Sequence, residues 1–265
     1  MTQRRFKLGL VGILLAALMG SPLFGQQPEA EQSLKKEVEA LKQGQVQIRK
    51  QLEEIMQLLR ARPAAAAPRP APAVPSVRGK VFDLGDNPVM GESGAKLTLI
   101  EFTDYQCGFC SRHARNTAPQ IKKEYVDTGK LRYAALDLPL NFHKLAFKAA
   151  EVSHCAGEQG KFWEMHDRLF ENQQALEPWN AHAEALGLDL SGFESCLSSG
   201  KFADVIRKDM AEARKAGASG TPSFVLGLTD SEDPSKVKGL TFIRGARAYA
   251  VFKSAIEKAL GESGE

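Results

Sequence analysis

Leu97-Thr98-Leu99-Ile100-Glu101-Phe102 leads through Thr103-Asp104-Tyr105-Gln106 into Cys107-Gly108-Phe109-Cys110. An apolar run of that length reads as a buried strand, and the segment from Cys107 to Val126 reads as a helix. Two thiols three residues apart therefore stand at a strand-to-helix junction. A helix N-terminus carries partial positive charge and free N–H groups, which stabilise a thiolate and make it reactive. The second thiol lies one turn along, where it can resolve a mixed disulfide. A zinc site needs four ligands, and there is no second CxxC; His113 is the other ligand type nearby. A structural disulfide across two residues would close a tiny loop and stabilise little. Redox exchange between Cys107 and Cys110 is the reading the spacing supports, with no cofactor beyond the pair and no metal.

The N-terminus bears on the compartment. Arg4, Arg5 and Lys7 precede an apolar stretch from Leu8 to Leu18, and Gly20, Ser21 and Gly25 follow. This is the layout of a signal peptide over residues 1–25, with cleavage expected near Gly25–Gln26. The competing reading is an uncleaved membrane anchor over Leu8 to Gly25, against which Pro22 and the glycines count. Both place the remainder outside the cytoplasm, in the periplasm or another extracytoplasmic space. Residues 1–25 hold three of the 35 basic side chains and no acidic ones, so the rest carries 32 of each sign. The formal charge of +3 thus belongs to the export segment, and no argument for nucleic-acid binding survives. All four cysteines remain, an even count suited to an oxidising space.

Residues 29–61 show a different period. Leu34, Val38, Leu41, Gln45, Ile48, Leu52, Ile55 and Leu59 alternate by four and three, a heptad seam over nearly four heptads. Glu37 at g and Lys42 at the next e can pair between parallel chains, and Gln45 is a polar a residue of the kind that sets register. The expectation is a coiled-coil oligomerisation helix and hence a homo-oligomer; the alternative is an amphipathic helix folded onto its own domain. Residues 62–76 form a Pro/Ala-rich, semi-rigid linker that holds this helix away from the rest.

Residues 77–265 are long enough to bury a core. Strands are expected at Val77–Leu84, Leu97–Phe102, Leu131–Leu138, Ser223–Leu228 and Thr241–Arg244. Pro119 should kink the first helix. Helices are expected at Lys144–Cys155, Lys161–Glu171, Asn180–Leu186, Leu190–Ser198 and Phe202–Ala216, and a last one at Arg247–Leu260 is stopped by Gly261. The order predicts an α/β sheet with a helical insertion at about residues 142–200. Cys155 and Cys196 lie in that insertion, 41 positions apart, and are read as a structural disulfide, the alternative being two buried free thiols. His143, His154, His166 and His182 form no trusted metal spacing.

Thr221-Pro222 stands just before the strand that starts at Ser223, where proline costs no ladder bond and an X–Pro bond can be cis. With this segment, the order of elements and three stretches resemble the DsbA-like branch of the thioredoxin superfamily, over about residues 77–262. The stretches are Asp104 to Cys110, Cys155 to Trp163, and Gly217 to Pro222. The resemblance implies a thioredoxin-like fold and a thiol–disulfide oxidoreductase. Cys107 would be the exposed nucleophile, Cys110 the buried resolving thiol and Pro222 the cis-proline. Thr221 would offer backbone groups to an extended substrate. Glu101 would be the buried acid that carries the Cys110 proton, a role that fits a carboxyl whose pKa burial has raised; a solvated strand residue is the other reading. Partners implied are unfolded or misfolded exported proteins with cysteines and a membrane redox partner. Phe109 stands where the strongest oxidants of the branch have histidine, and it can contribute apolar contact for substrates. The direction of exchange, oxidase or isomerase and reductase, stays open, and a non-catalytic scaffold that inherited the fold is the rival from another class.

Overall fold

The computed structural model describes residues 27–61 and 74–262, which fall into two compact units. The expected signal peptide and all but the last three residues of the expected linker lie outside the described residues.

The described residues of the first unit form one helix, α1 (Gln27–Ala61), about 50 Å long at 1.5 Å per residue. Its seam residues Leu34, Val38, Leu41, Ile48, Leu52 and Ile55 are all exposed.

The second unit is built on a six-stranded sheet. Its strands are β1 (Val81–Asp83), β2 (Val89–Met90), β3 (Leu97–Thr103), β4 (Leu131–Asp137), β5 (Ser223–Thr229) and β6 (Lys236–Arg244). They lie in the order β1-β6-β5-β3-β4-β2. Only β3 and β4 run parallel among the paired strands. Every residue of those two strands is buried, because helices cover both faces, and this takes even Thr98, Glu101, Thr103, Arg132 and Asp137 out of water. Side chains alternate across the sheet. Ile100 and Phe102 enter the core that holds Ala213 and Ala216 of α8 (Ala203–Ala216). Leu97 and Leu99 enter the opposite core, with Ile121, Tyr125 and Phe252. Glu101 shares this second face by its odd position on the strand.

The helix expected from Cys107 to Val126 is three pieces. α2 (Gly108–Asn116) ends at Thr117, α3 (Ala118–Ile121) restarts, and a π-helical turn runs from Lys122 to Val126. Pro119 is the cause: it has no N–H to give and its ring clashes with the carbonyl four residues back, so it sits in the first turn of a new helix. A break replaces the expected kink. Four helices, α4 (Ala146–Gly157), α5 (Phe162–Glu171), α6 (Trp179–Ala185) and α7 (Leu190–Ser199), form the helical block, whose core joins Cys107 and Cys110 to Val152, Leu169 and Phe193. Within it Cys155 and Cys196 form a disulfide with a Cα–Cα separation of 5.8 Å.

Other differences from the expected elements are at the margins. The first strand is three residues, since Arg78 and Gly79 form a turn. β2 is too short for any periodic signal. β6 begins five residues earlier than expected, through Lys236, Lys238 and Gly239. The last helix, α9 (Tyr249–Glu262), runs through Gly261, whose missing Cβ would meet open space, so nothing there forces a stop. Gly217, at φ +79°, does end α8, and a side chain there would meet Pro75.

Candidate active site

The site stands where β3 runs out. Asp104, fully buried, organises the turn: its carbonyl accepts the Cys107 N–H (3.0 Å) and Oδ1 accepts the Gln106 N–H (2.7 Å). Its Oδ2 accepts the Leu140 N–H and bonds His143 Nδ1, both at 2.8 Å. The loop after β4 is thereby tied to the turn that presents Cys107. β3 and β4 are parallel, so both loops leave the same end of the sheet. Phe142 on this loop is 75% exposed and Phe109 on α2 is 59% exposed. The Arg112 guanidinium lies 5.0 Å from the Phe109 ring centroid.

Cys107 is the N-cap of α2, in extended conformation. The expected exposed nucleophile is 6% exposed, because the segment before Pro222 lies over it: its thiol donates to the Thr221 carbonyl at 3.3 Å. The Thr221–Pro222 bond is cis. Cys110, one turn in, is fully buried, and both cysteines are free thiols. The two groups are pushed apart. Cys107 is lowered from an ordinary 9 to about 5, chiefly by the hydrogen bond from the Cys110 thiol. Burial opposes this, while Thr221 and the N–H groups of Cys110 and Phe109 add to it. Cys110 is raised well above its ordinary value by burial, then by its bond to Cys107 and the charge of Glu101.

Glu101 is 1% exposed, so the solvated reading fails. Burial raises its carboxyl from 4.5 to about 7, against the pull of the Tyr133 hydroxyl, which donates to Oε2. Tyr133 also bonds His113 Nε2 (3.0 Å). Neither Tyr133 nor His113 was singled out as a partner of Glu101 on sequence. A tyrosine inside a buried strand is a signal, since its hydroxyl needs a partner, but the partner's identity depends on the pairing of β3 with β4.

The other histidines have structural partners. His154 Nε2 bonds Asp137 Oδ2 (2.8 Å), His166 bonds the Tyr105 hydroxyl (3.1 Å), and His182 bonds the carbonyls of Ala175 and Leu176. Asp137, His154 and Asp209 bring ligating atoms within 4.8 Å of one another. The Asp209 oxygens already accept from the Asp137 N–H and the Asn87 amide. This buried network joins β4, α4 and α8, and its members are too far apart in the chain to form a visible motif.

A family model described as thioredoxin matches residues 83–243. The α-DsbA1 of Wolbachia pipientis superposes with a TM-score of 0.58 at 26% identity, over 68% of this chain and 94% of that one. The chain belongs to the DsbA-like oxidoreductases of the thioredoxin superfamily. Oxidised BdbD of Bacillus subtilis shares the DsbA-like fold, with a TM-score of 0.57 at 24% identity over 71% of this chain and 97% of that one. Among curated proteins, the Na(+)/H(+) antiporter NhaA 3 of Salinispora tropica is 34% identical over 170 residues, 63% of this chain and 25% of that protein. The antiporter NhaA 1 of Salinispora arenicola is 37% identical over 139 residues, 51% and 21% respectively. The chain therefore spans about a quarter or less of these curated relatives, and the likeness leaves most of each antiporter unmatched. No helix among the described residues is long and apolar enough to cross a membrane.

Proposed function

We propose that this DsbA-like chain exchanges disulfides with cysteine-bearing proteins outside the cytoplasm, with Cys107 as nucleophile and Cys110 as resolving thiol. The observation that carries the reading is the placement of the pair: Cys107 caps α2 under the Thr221 carbonyl beside the cis Pro222, with Cys110 buried one turn in, and this lowers the Cys107 pKa and raises that of Cys110. In the oxidising direction a substrate thiolate attacks Cys107, the Cys107–Cys110 bond breaks, and Cys110 leaves and takes a proton from Glu101. A second substrate thiolate then attacks the substrate sulfur of the mixed disulfide and Cys107 leaves as thiolate. The substrate loses two electrons and the pair gains them. The Thr221 carbonyl over Cys107 is placed to bond an extended substrate backbone, with Phe109 and Phe142 as exposed apolar contacts. The turnover needs an acceptor for the two electrons, which we assign to a membrane redox partner. The Cys155–Cys196 bridge and the apolar segment of residues 1–25 support an extracytoplasmic location.

Oxidation is the favoured direction, because whatever stabilises the Cys107 thiolate stabilises the reduced form over the disulfide. The test is equilibration of the pair with glutathione buffers. At a poise of about −240 mV the pair is expected to be mostly reduced; a mostly oxidised pair there would reverse the assignment to a reductase.

A second reading, an oligomeric isomerase built on the same site, is favoured by the exposed apolar seam of α1. Joining several sites on one coiled-coil stalk raises the effective concentration at a misfolded chain. Deleting residues 26–62 is expected to yield monomers in sedimentation, to abolish disulfide isomerisation and to spare dithiol oxidation. An unchanged number of subunits and unchanged isomerisation would remove the stalk from this role.

A further inference from the structure

Glu101 has one oxygen occupied and one free. Oε2 accepts from the Tyr133 hydroxyl, while Oε1 is buried with no hydrogen-bond partner among the described residues. Tyr133 has a single proton, and it is committed to an ionised Glu101. The 3.0 Å contact between Tyr133 Oη and His113 Nε2 then requires His113 to donate. His113 Nδ1 is left as a bare acceptor, and it is buried without a partner. The His113 ring packs against Phe224 and Phe252, with centroids 4.5 and 5.2 Å away. Burial lowers its pKa to about 3, so the ring does not accept a further proton near neutrality.

Tyr133 has a second neighbour. It lines a cavity of about 390 Å³ between the α2–α3 segment and α5, where Arg115 and Lys122 stand on one wall and Asp167 and Glu171 on the other. That space is roomy and polar enough for water. Among the described residues, Tyr133 is the one hydrogen-bond partner of Glu101 that also belongs to this cavity.

We propose that Tyr133 is a positioning residue that holds Glu101 ready for the Cys110 proton and links it to the water of this cavity, with His113 as the fixed donor that turns the Tyr133 proton towards Glu101. The proposal rests on the oxidoreductase reading and deepens it. When a mixed disulfide at Cys107 is resolved, Cys110 gives its proton to Glu101. The Cys110 sulfur then bonds to the Cys107 sulfur, and the partner leaves as thiolate with the electron pair of the broken bond. The neutral Glu101 then gives a proton to the Tyr133 oxygen as the hydroxyl turns and releases its own proton to cavity water, after which it turns back to Glu101. The groups that face Glu101 are Thr103 on its own strand, Tyr133 on β4, and Cys107 and Cys110 at the start of α2, with Tyr105 and Asp167 acting on it or on Tyr133 at longer range.

The experiment follows glutathione release from a preformed Cys107–glutathione disulfide of the full chain against pH. The wild-type rate is expected to rise through an inflection near pH 7, as Glu101 ionises. Tyr133→Phe removes a hydrogen bond to a carboxylate. It should move the inflection up by about one pH unit and slow release at pH 6 about tenfold. Glu101→Gln should remove the inflection, and adding Tyr133→Phe to it should change nothing further. His113→Leu, which leaves the Tyr133 hydroxyl without its donor, should shift the inflection the same way, and His113→Gln should restore it. An inflection that stays in place in folded Tyr133→Phe or His113→Leu protein overturns the proposal. So does an equal slowing by Tyr133→Phe in the Glu101→Gln background. A wild-type protein that forms no mixed disulfide at Cys107 overturns the oxidoreductase reading itself, before any variant is compared.

Discussion

Cys107→Ser is expected to abolish oxidation of substrate thiols, with no residual turnover above the uncatalysed rate. A serine hydroxyl neither ionises near neutral pH nor forms a disulfide, so neither the attack on Cys107 nor the mixed disulfide exists in the variant. In the reduced wild-type protein, Cys107 at a pKa of about 5 is roughly 99% thiolate at pH 7. Iodoacetamide should therefore label Cys107 at a rate that is half-maximal near pH 5 and level above pH 7. Cys110, buried and raised, should stay unlabelled through pH 8. The same ionisation has a consequence for stability. Cys107 is lowered from an ordinary 9, so the native state binds fewer protons than the unfolded chain between about pH 5 and 9. Its contribution to the reduced protein is complete above about pH 9 and is lost as pH falls through about 5. Thermal melts of reduced and oxidised protein should thus converge or cross as the solution is acidified. A labelling midpoint at pH 8 or above would remove the basis for Cys107 as a poised nucleophile.

Removing the Cys155–Cys196 bridge, by Cys155→Ala together with Cys196→Ala, is expected to destabilise the domain by about 4 kcal/mol. That figure follows from closing a loop with a sequence separation of 41 in the chain-entropy account. For a domain of this size it corresponds to a fall in Tm of about 10 °C. The bridge joins α4 to α7, and Lys148 reaches the Leu197 carbonyl beside it (2.8 Å) while also pairing with Glu151. These contacts keep the native packing, so most of the loss is placed in the unfolded state, which becomes larger. Exchange activity per folded molecule should change little, because the bridge ties α4 to α7 and supplies no thiol to the exchange. A drop below 1 kcal/mol in urea titration would show that the two helices are held by packing alone.

Much of the fold was legible because its signals are local. The apolar runs of β3, β4 and β5, the cysteine pair and the proline before Ser223 each report on a few neighbouring residues. The block of helices from Ala146 to Ser199 followed from apolar spacing. What failed was of two kinds. Pro119 predicts a kink where the chain makes a break, because the cost of a proline depends on whether a new helix can start around it. Gly261 predicts a stop where helix α9 continues, because a glycine ends a helix only when the chain must turn left-handed there. β2 and the first half of β6 gain their strand character from partners across the sheet, not from their own residues.

By itself the sequence determined the chemistry and the branch of the superfamily: two thiols at a helix start, Thr221-Pro222 before a strand, and the order of elements between them. These are short-range facts, and a chain carries them before it folds. Only the tertiary structure decided how the site is tuned. It put Glu101 out of water, laid the Thr221 carbonyl on Cys107, and set the Tyr133 hydroxyl and His113 behind the carboxyl. Each of these comes from segments 20 to 114 positions apart meeting in a space that excludes solvent. Acidity and proton paths depend on the surroundings of a group, and those surroundings exist only after the strands have paired.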